Sequence, residues 1–219
     1  MTEPYYDILF YDTKSGAKTD TLHRVLRRVF KDTGINIATV DKDSFQSYKN
    51  RHVLGYVFPG AKAGSLYREQ LPENGNFDFY REEIHKGKTS LNICAMGYNA
   101  CKSFLYTNPE TKSEHRINSE IGMLDFHAFG PDTRLYKPIQ LHPENAWTTY
   151  SAVEINFKGR NGTKQAGHFA LSQGPSFKPA IEATDYEVIA HYSATKDIAI
   201  LKQDIGKGTI IASGPALEV

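Results

Sequence analysis

The stretch TSLNICAMGYNACKSF, Thr89 to Phe104, decides how the chain is read. Thr89–Ile93 has the length and apolar content of a buried strand. Cys94 ends it, and a helical stretch is expected from there to about Tyr106. A side chain at such a strand–turn–helix junction is pushed up from the sheet. The amide of the next residue, Ala95, then points toward any oxyanion formed on a bound carbonyl. The helix N-terminus adds about half a positive charge, which favours thiolate. A small buried hydrophobe is the competing reading of Cys94.

Upstream, strands and helices alternate. Asp7–Tyr11 is a strand-length apolar run. Leu22, Val25, Leu26, Val29 and Phe30 fall on one helical stripe, with Asp20 able to cap its start and Gly34 its end. Ile35–Val40 and His52–Phe58 read as strands, the second stopped by Pro59-Gly60. Phe77–Lys86 reads as a helix with Gly87 behind it. Strands separated by helices pair in parallel through right-handed crossovers, so the fold class is α/β, a doubly wound and mainly parallel sheet. Ligands in such sheets gather at the carboxyl ends of the strands, where the loop Pro59–Ser65 and the turn at Cys94 lie.

Downstream, residues 107–150 are rich in turn formers and hold only short strand-like pieces. Ala152–Phe157, Gly167–Leu171, Tyr186–Tyr192, Ile198–Lys202 and Thr209–Ala212 read as short strands, several in antiparallel hairpins, giving a C-terminal β-rich portion. One hairpin turns at Lys207-Gly208 and another near Asn161-Gly162-Thr163. Trp147 and the 25 Tyr and Phe residues are assigned to the core. No repeat or linker interrupts the chain, and residues 1–219 are read as a single domain.

Composition narrows the function. Lys and Arg number 26 against 25 Asp and Glu, for a net charge of +1, which removes the footprint of a general nucleic-acid binder. Arg24, Arg27, Arg28 and Lys31 form a basic helix face read as solvated. No apolar run approaches the ~18 residues that span a bilayer, and MTEPYYDILFY lacks the features of a signal peptide. The expectation is a soluble, cytoplasmic protein with no membrane and no nucleic-acid partner. Cys94 and Cys101, on one helix, would be separated by roughly 10 Å of rise, beyond the reach of a disulfide. The eight His residues show no ligand spacing, so no metal and no cofactor is expected. Lys62 and Ser65 flank Gly60 and Gly64 without the order of a phosphate loop.

Four segments, DILFY, LGYVFPGAKAG, LNICAMGYNACKSF and GKGTIIASGPALE, occur in that order. In these segments the chain resembles the amidotransferase-like N-terminal domain of eukaryotic-type biotin–protein ligases, of the class I glutamine amidotransferase-like group. The resemblance runs from about residue 7 to the end and is loose over 107–150. It implies a flavodoxin-like sheet with Cys94 as nucleophile and an oxyanion site from Gly60, Ala61 and Ala95. It also implies a catalytic His on the last strand, oriented by Glu218.

The departures bear on chemistry. Asn92 and Met96 stand where the family pattern has glycines, the P-G-G loop reads Pro59-Gly60-Ala61, and the catalytic His position is Ala216. A thiol without its base is only a few per cent ionised at neutral pH, and departing ammonia has no proton donor. Three imidazoles are candidate replacements: His142, in a His142-Pro143-Glu144 tripeptide, His127 in LDFHAFGP, and His168 in AGHFAL. Each has a plainer reading as a loop or packing residue. Two functions are therefore carried. One is an impaired amidotransferase-like module that binds a small molecule or a protein; the other is a cysteine-dependent amidase with a relocated base. Biotin ligation itself is rejected, because no G-R-G-R-x-G-like loop is present.

Overall fold

The computed structural model describes residues 6–14, 20–61, 64–108, 111–135, 151–159 and 161–216. The N-terminal half lays down β1 (Tyr6–Tyr11), α1 (Asp20–Val29), β2 (Ile35–Val40) and β3 (His52–Phe58). It continues with α2 (Ser65–Gln70), α3 (Asn76–His85), β4 (Thr89–Ile93) and α4 (Ala95–Ala100). Then follow β5 (Cys101–Thr107), β6 (Glu114–Asn118), β7 (Leu124–Gly130), β8 (Ser151–Lys158) and β9 (Lys164–Leu171). The last four strands are β10 (Ser176–Pro179), β11 (Tyr186–Tyr192), β12 (Ile198–Ile205) and β13 (Gly208–Ser213).

Described strands form one large mixed sheet in the order β2-β1-β3-β4-β13-β12-β10-β7-β5-β6, with β11, β8 and β9 continuing from β12. β2, β1, β3, β4 and β13 run parallel to one another, and β5 is parallel to β7. Such a large sheet with interleaved helices is compatible with a flavodoxin-like α/β fold.

Alternation along β1 shows how the sheet is covered. Leu9 and Tyr11 enter the larger core cluster with Tyr67 of α2 and Phe79 and Tyr80 of α3. Phe10, between them, joins a smaller cluster with Leu22 of α1, Ile37, Val57 and Ile93. Strand side chains alternate between faces, so helices cover both sides of this part of the sheet. The larger cluster is aromatic: Tyr11 meets Phe45 at 5.6 Å, and Phe58 meets Tyr80 at 5.1 Å, edge to face. Each such buried side chain contributes about 1.5–3 kcal/mol.

Three elements differ from expectation. The helix after Cys94 stops at Ala100, and Cys101–Thr107 is a strand between β6 and β7. Cys101, Phe104 and Leu105 carry helical spacing, but Cys101 and Phe104 are buried on the sheet instead. β7, inside the turn-rich stretch, is a full strand with strict alternation of buried and half-buried residues. The last hairpin turns at Gly206-Lys207, one residue earlier than read, because Gly206 supplies the positive φ of 63°. Around Asn161–Thr163 the β8–β9 hairpin forms as the sequence suggests, with Gly162 at φ 72°. Trp147 lies outside the described residues.

Candidate functional site

β4 delivers Cys94 to the carboxyl edge of the parallel strands. Its partners there are fixed by register: Phe58 pairs with Asn92, and Ser213 with Ile93. The amide of Cys94 still donates to the Ser213 carbonyl at 2.8 Å, while its carbonyl already accepts the Tyr98 amide of α4 at 3.1 Å. One residue thus ends the strand and starts the helix. It does so with φ 50° and ψ −103°, a left-handed backbone that costs a non-glycine residue of order 1–3 kcal/mol.

The thiol is half-buried beside the Phe10–Leu22–Ile93 cluster, and its Sγ donates to the Ser172 carbonyl at 3.4 Å. Ala95 and Met96 are buried, Met96 completely and within the larger core. The bulk that replaces a glycine there is absorbed by packing. Gly97 follows, where a Cβ would lie 3.0 Å from the Ser213 carbonyl.

Asn92, the other replacement of a glycine, is fully buried beneath the turn. Its Oδ1 accepts from Ser90 Oγ at 2.7 Å, and its Nδ2 donates to the Tyr80 hydroxyl at 3.4 Å. Burial pushes the Tyr80 phenol up to about 12, with the Ser90 and Asn92 hydrogen bonds pulling the other way. This network ties β4 to α3.

Of the proposed oxyanion residues, Gly60 and Ala95 are buried and Ala61 is half-buried. Their loop is anchored at both ends: Tyr67 donates to the Pro59 carbonyl at 2.6 Å, and Asn99 Nδ2 donates to the carbonyls of Gly64 and Ala95. Lys62 lies outside the described residues.

The two imidazole candidates among the described residues lie on different strands. His127 sits on β7, four strands from β4 along the sheet path, which at about 4.8 Å per strand is roughly 19 Å along the sheet. Its Nδ1 lies 2.8 Å from Ser103 Oγ. His168 is exposed on β9, in register with Glu154. His142 and Glu218 lie outside the described residues. Ala216, by contrast, is buried, and its amide donates to the Ala170 carbonyl at 2.9 Å.

A set of residues that the sequence reading passed over surrounds the thiol. Tyr98 donates to the Gln173 carbonyl at 2.8 Å, and Tyr192 to the Pro175 carbonyl at 2.8 Å. Burial raises both phenols, and the neighbouring Cys94 adds to the rise. Three Gly-Pro dipeptides converge here: Gly130-Pro131, whose peptide bond is cis, Gly174-Pro175 and Gly214-Pro215. A Cβ on Gly130 would approach the Tyr98 hydroxyl to 2.5 Å and the Gly174 carbonyl to 3.1 Å, and one on Gly174 would run into the Gly214 carbonyl. Three repeated dipeptides in one half of the chain were the available signal.

Among the described residues, no group of three or more His, Cys, Asp or Glu side chains is placed to hold a metal. No helix there is long and apolar enough to cross a membrane.

No family model matches the chain, and no curated protein matches it. Solved structures do. A glutamine amidotransferase crystal structure superposes with a TM-score of 0.56 at 17% identity, covering 98% of this chain and 90% of that one. A catalytic mutant of Gan42B, a GH42 β-galactosidase from G. stearothermophilus, gives 0.56 at 15% identity over 98% of this chain. A β-galactosidase from Bacillus circulans sp. alkalophilus gives 0.51 at 12% identity over 97%. The chain spans only 28% and 29% of those two galactosidases. At these identities the likeness is one of fold, and the fold is amidotransferase-like.

Proposed function

We propose that this chain is a doubly wound, flavodoxin-like domain spanning residues 1–219, of the kind found at the N-terminus of biotin–protein ligases. In this reading its triad is degenerate, and it serves in the cytoplasm as a binding module for a small molecule or a protein. The observation that carries the reading is Ala216. The resemblance assigns the general base to this position, and the residue there is a buried alanine whose backbone bridges to Ala170 of β9. In amide hydrolysis the thiol must lose a proton to the base, and the leaving ammonia must receive one. A methyl group can do neither. Loss of a general acid–base costs about 10²–10⁴-fold.

Cys94 remains the centre of the site in this reading, with Gly60, Ala61 and Ala95 assigned around it. The strained backbone at Cys94 is the feature that favours the second reading, a cysteine-dependent amidase or glutamine amidotransferase, since such strain collects at functional positions. That reading needs a relocated base. His127, held by Ser103, and the exposed His168 give it little support, which leaves His142.

Ammonia release from L-glutamine by the purified chain, beside Cys94→Ala, separates the two. The expected result is no release above the Cys94→Ala background. Release that depends on Cys94 would overturn the impaired-module reading and establish the amidase.

A further inference from the structure

The segment between β9 and β10 does more than connect them. Three of its four residues give a backbone carbonyl to a side-chain donor: Ser172 to the Cys94 thiol, Gln173 to Tyr98, and Pro175 to Tyr192. The Gln173 side chain adds a fourth bond, its Oε1 accepting from the Tyr106 hydroxyl at 2.6 Å. Gln173 itself is held at φ 58°, a left-handed backbone on a non-glycine residue.

We propose that Ser172–Pro175 is an autoinhibitory strap, latched over Cys94 by the phenols of Tyr98, Tyr106 and Tyr192. The inference rests on the reading of Cys94 as the centre of the site. A ligand group that accepts a hydrogen bond from the half-buried thiol has to displace the Ser172 carbonyl. Side-chain hydrogen bonds hold the half-buried Ser172–Gln173 end, whereas Gly174 and Pro175 are buried against the other Gly-Pro junctions. Opening is therefore expected at the Ser172–Gln173 end, where it relieves the strain at Gln173, at a free energy below that of global unfolding.

The second cysteine supplies an internal clock. Cys101 is fully buried, and burial pushes its thiol up, so it reports global unfolding. The full-length chain is treated with iodoacetamide at neutral pH, and the labelling of each cysteine is followed by peptide mass mapping. In the native chain Cys94 is expected to react more than about tenfold more slowly than in the urea-unfolded chain, and ahead of Cys101. Tyr106→Phe and Gln173→Ala each remove one latch hydrogen bond and are expected to speed Cys94 labelling by about 2- to 10-fold, with Cys101 unchanged.

Native Cys94 labelling as fast as in urea would overturn the strap, as would variants that leave its rate unchanged. Joint acceleration of Cys94 and Cys101 in both variants would also overturn it, since that is global unfolding. The result is independent of catalysis. Faster labelling without ammonia release upholds both strap and impaired module, whereas ammonia release in a latch variant upholds the strap and overturns the impairment.

Discussion

The amide of Ala216 donates to the carbonyl of Ala170 at 2.9 Å, stitching the end of the described chain to β9. This bond sets Ala216 near the segment that continues from β9 into the strap, at the carboxyl edge where Cys94 emerges. The position that the resemblance assigns to the base is thereby filled by close packing.

Ala216→His tests what that packing replaces. An imidazole in a buried alanine site is expected to cost about 1–3 kcal/mol of stability, read from the urea midpoint. In exchange, Cys94-dependent ammonia release from glutamine is expected to appear, within the ~10²–10⁴-fold that a general acid–base supplies. A folded variant with no gain would locate the impairment elsewhere than in the missing ring.

His127→Ala and His168→Ala give the complementary test. His127 lies beside Ser103 and His168 is exposed on β9; in the impaired-module reading neither takes the thiol proton. Cys94 alkylation rates in both variants are expected to match the parent chain within about twofold, rather than fall as they would on removal of a base. A large drop in either would identify that imidazole as the relocated partner.

The two halves of the chain were unequally legible in the sequence. β1, β2 and β3 announce themselves because each is an apolar run closed by Asp or Pro, and α1 because Leu22, Leu26 and Phe30 share a stripe. β5 reads as helix in the sequence because Cys101, Phe104 and Leu105 satisfy helical spacing equally well; pairing with β6 and β7 decides the matter. At the site, Cys94 and the loss at Ala216 could be read locally. The strap could not, because Tyr98, Gln173, Tyr192 and the three Gly-Pro dipeptides become neighbours only when the sheet is assembled.

Gly214 and Gly162 separate two reasons for glycine. At Gly214 a Cβ would collide with the Pro175 carbonyl and the Tyr192 hydroxyl. Gly214→Ala is therefore expected to destabilise by about 3 kcal/mol or more. At Gly162 the surrounding space is open but φ is +72°, so Gly162→Ala should cost only about 1 kcal/mol, from backbone strain. Urea unfolding of the two variants checks the ranking. Equal costs would mean that the Gly-Pro junction yields and is less tightly packed than described.

Alkaline pH offers the last test, through Tyr80. Its phenol is raised from the ordinary 10.0 to about 12, chiefly by burial. A folded-state value above the unfolded one means that the unfolded chain releases this proton first. The resulting stabilisation is fully present below about pH 10 and is lost as the pH rises toward and through 12. Other buried phenols, Tyr11 and Tyr56 among them, shift in the same direction, so the parent chain should lose stability steeply over this range. Tyr80→Phe removes one titrating group and leaves Asn92 Nδ2 without that acceptor, for a cost of about 1–3 kcal/mol at neutral pH. Its stability should then decline less steeply above pH 10. Urea midpoints at neutral pH and across the alkaline range, for parent and variant, decide the point; parallel curves would mean that the Tyr80 hydroxyl ionises as readily in the folded chain as in the unfolded one.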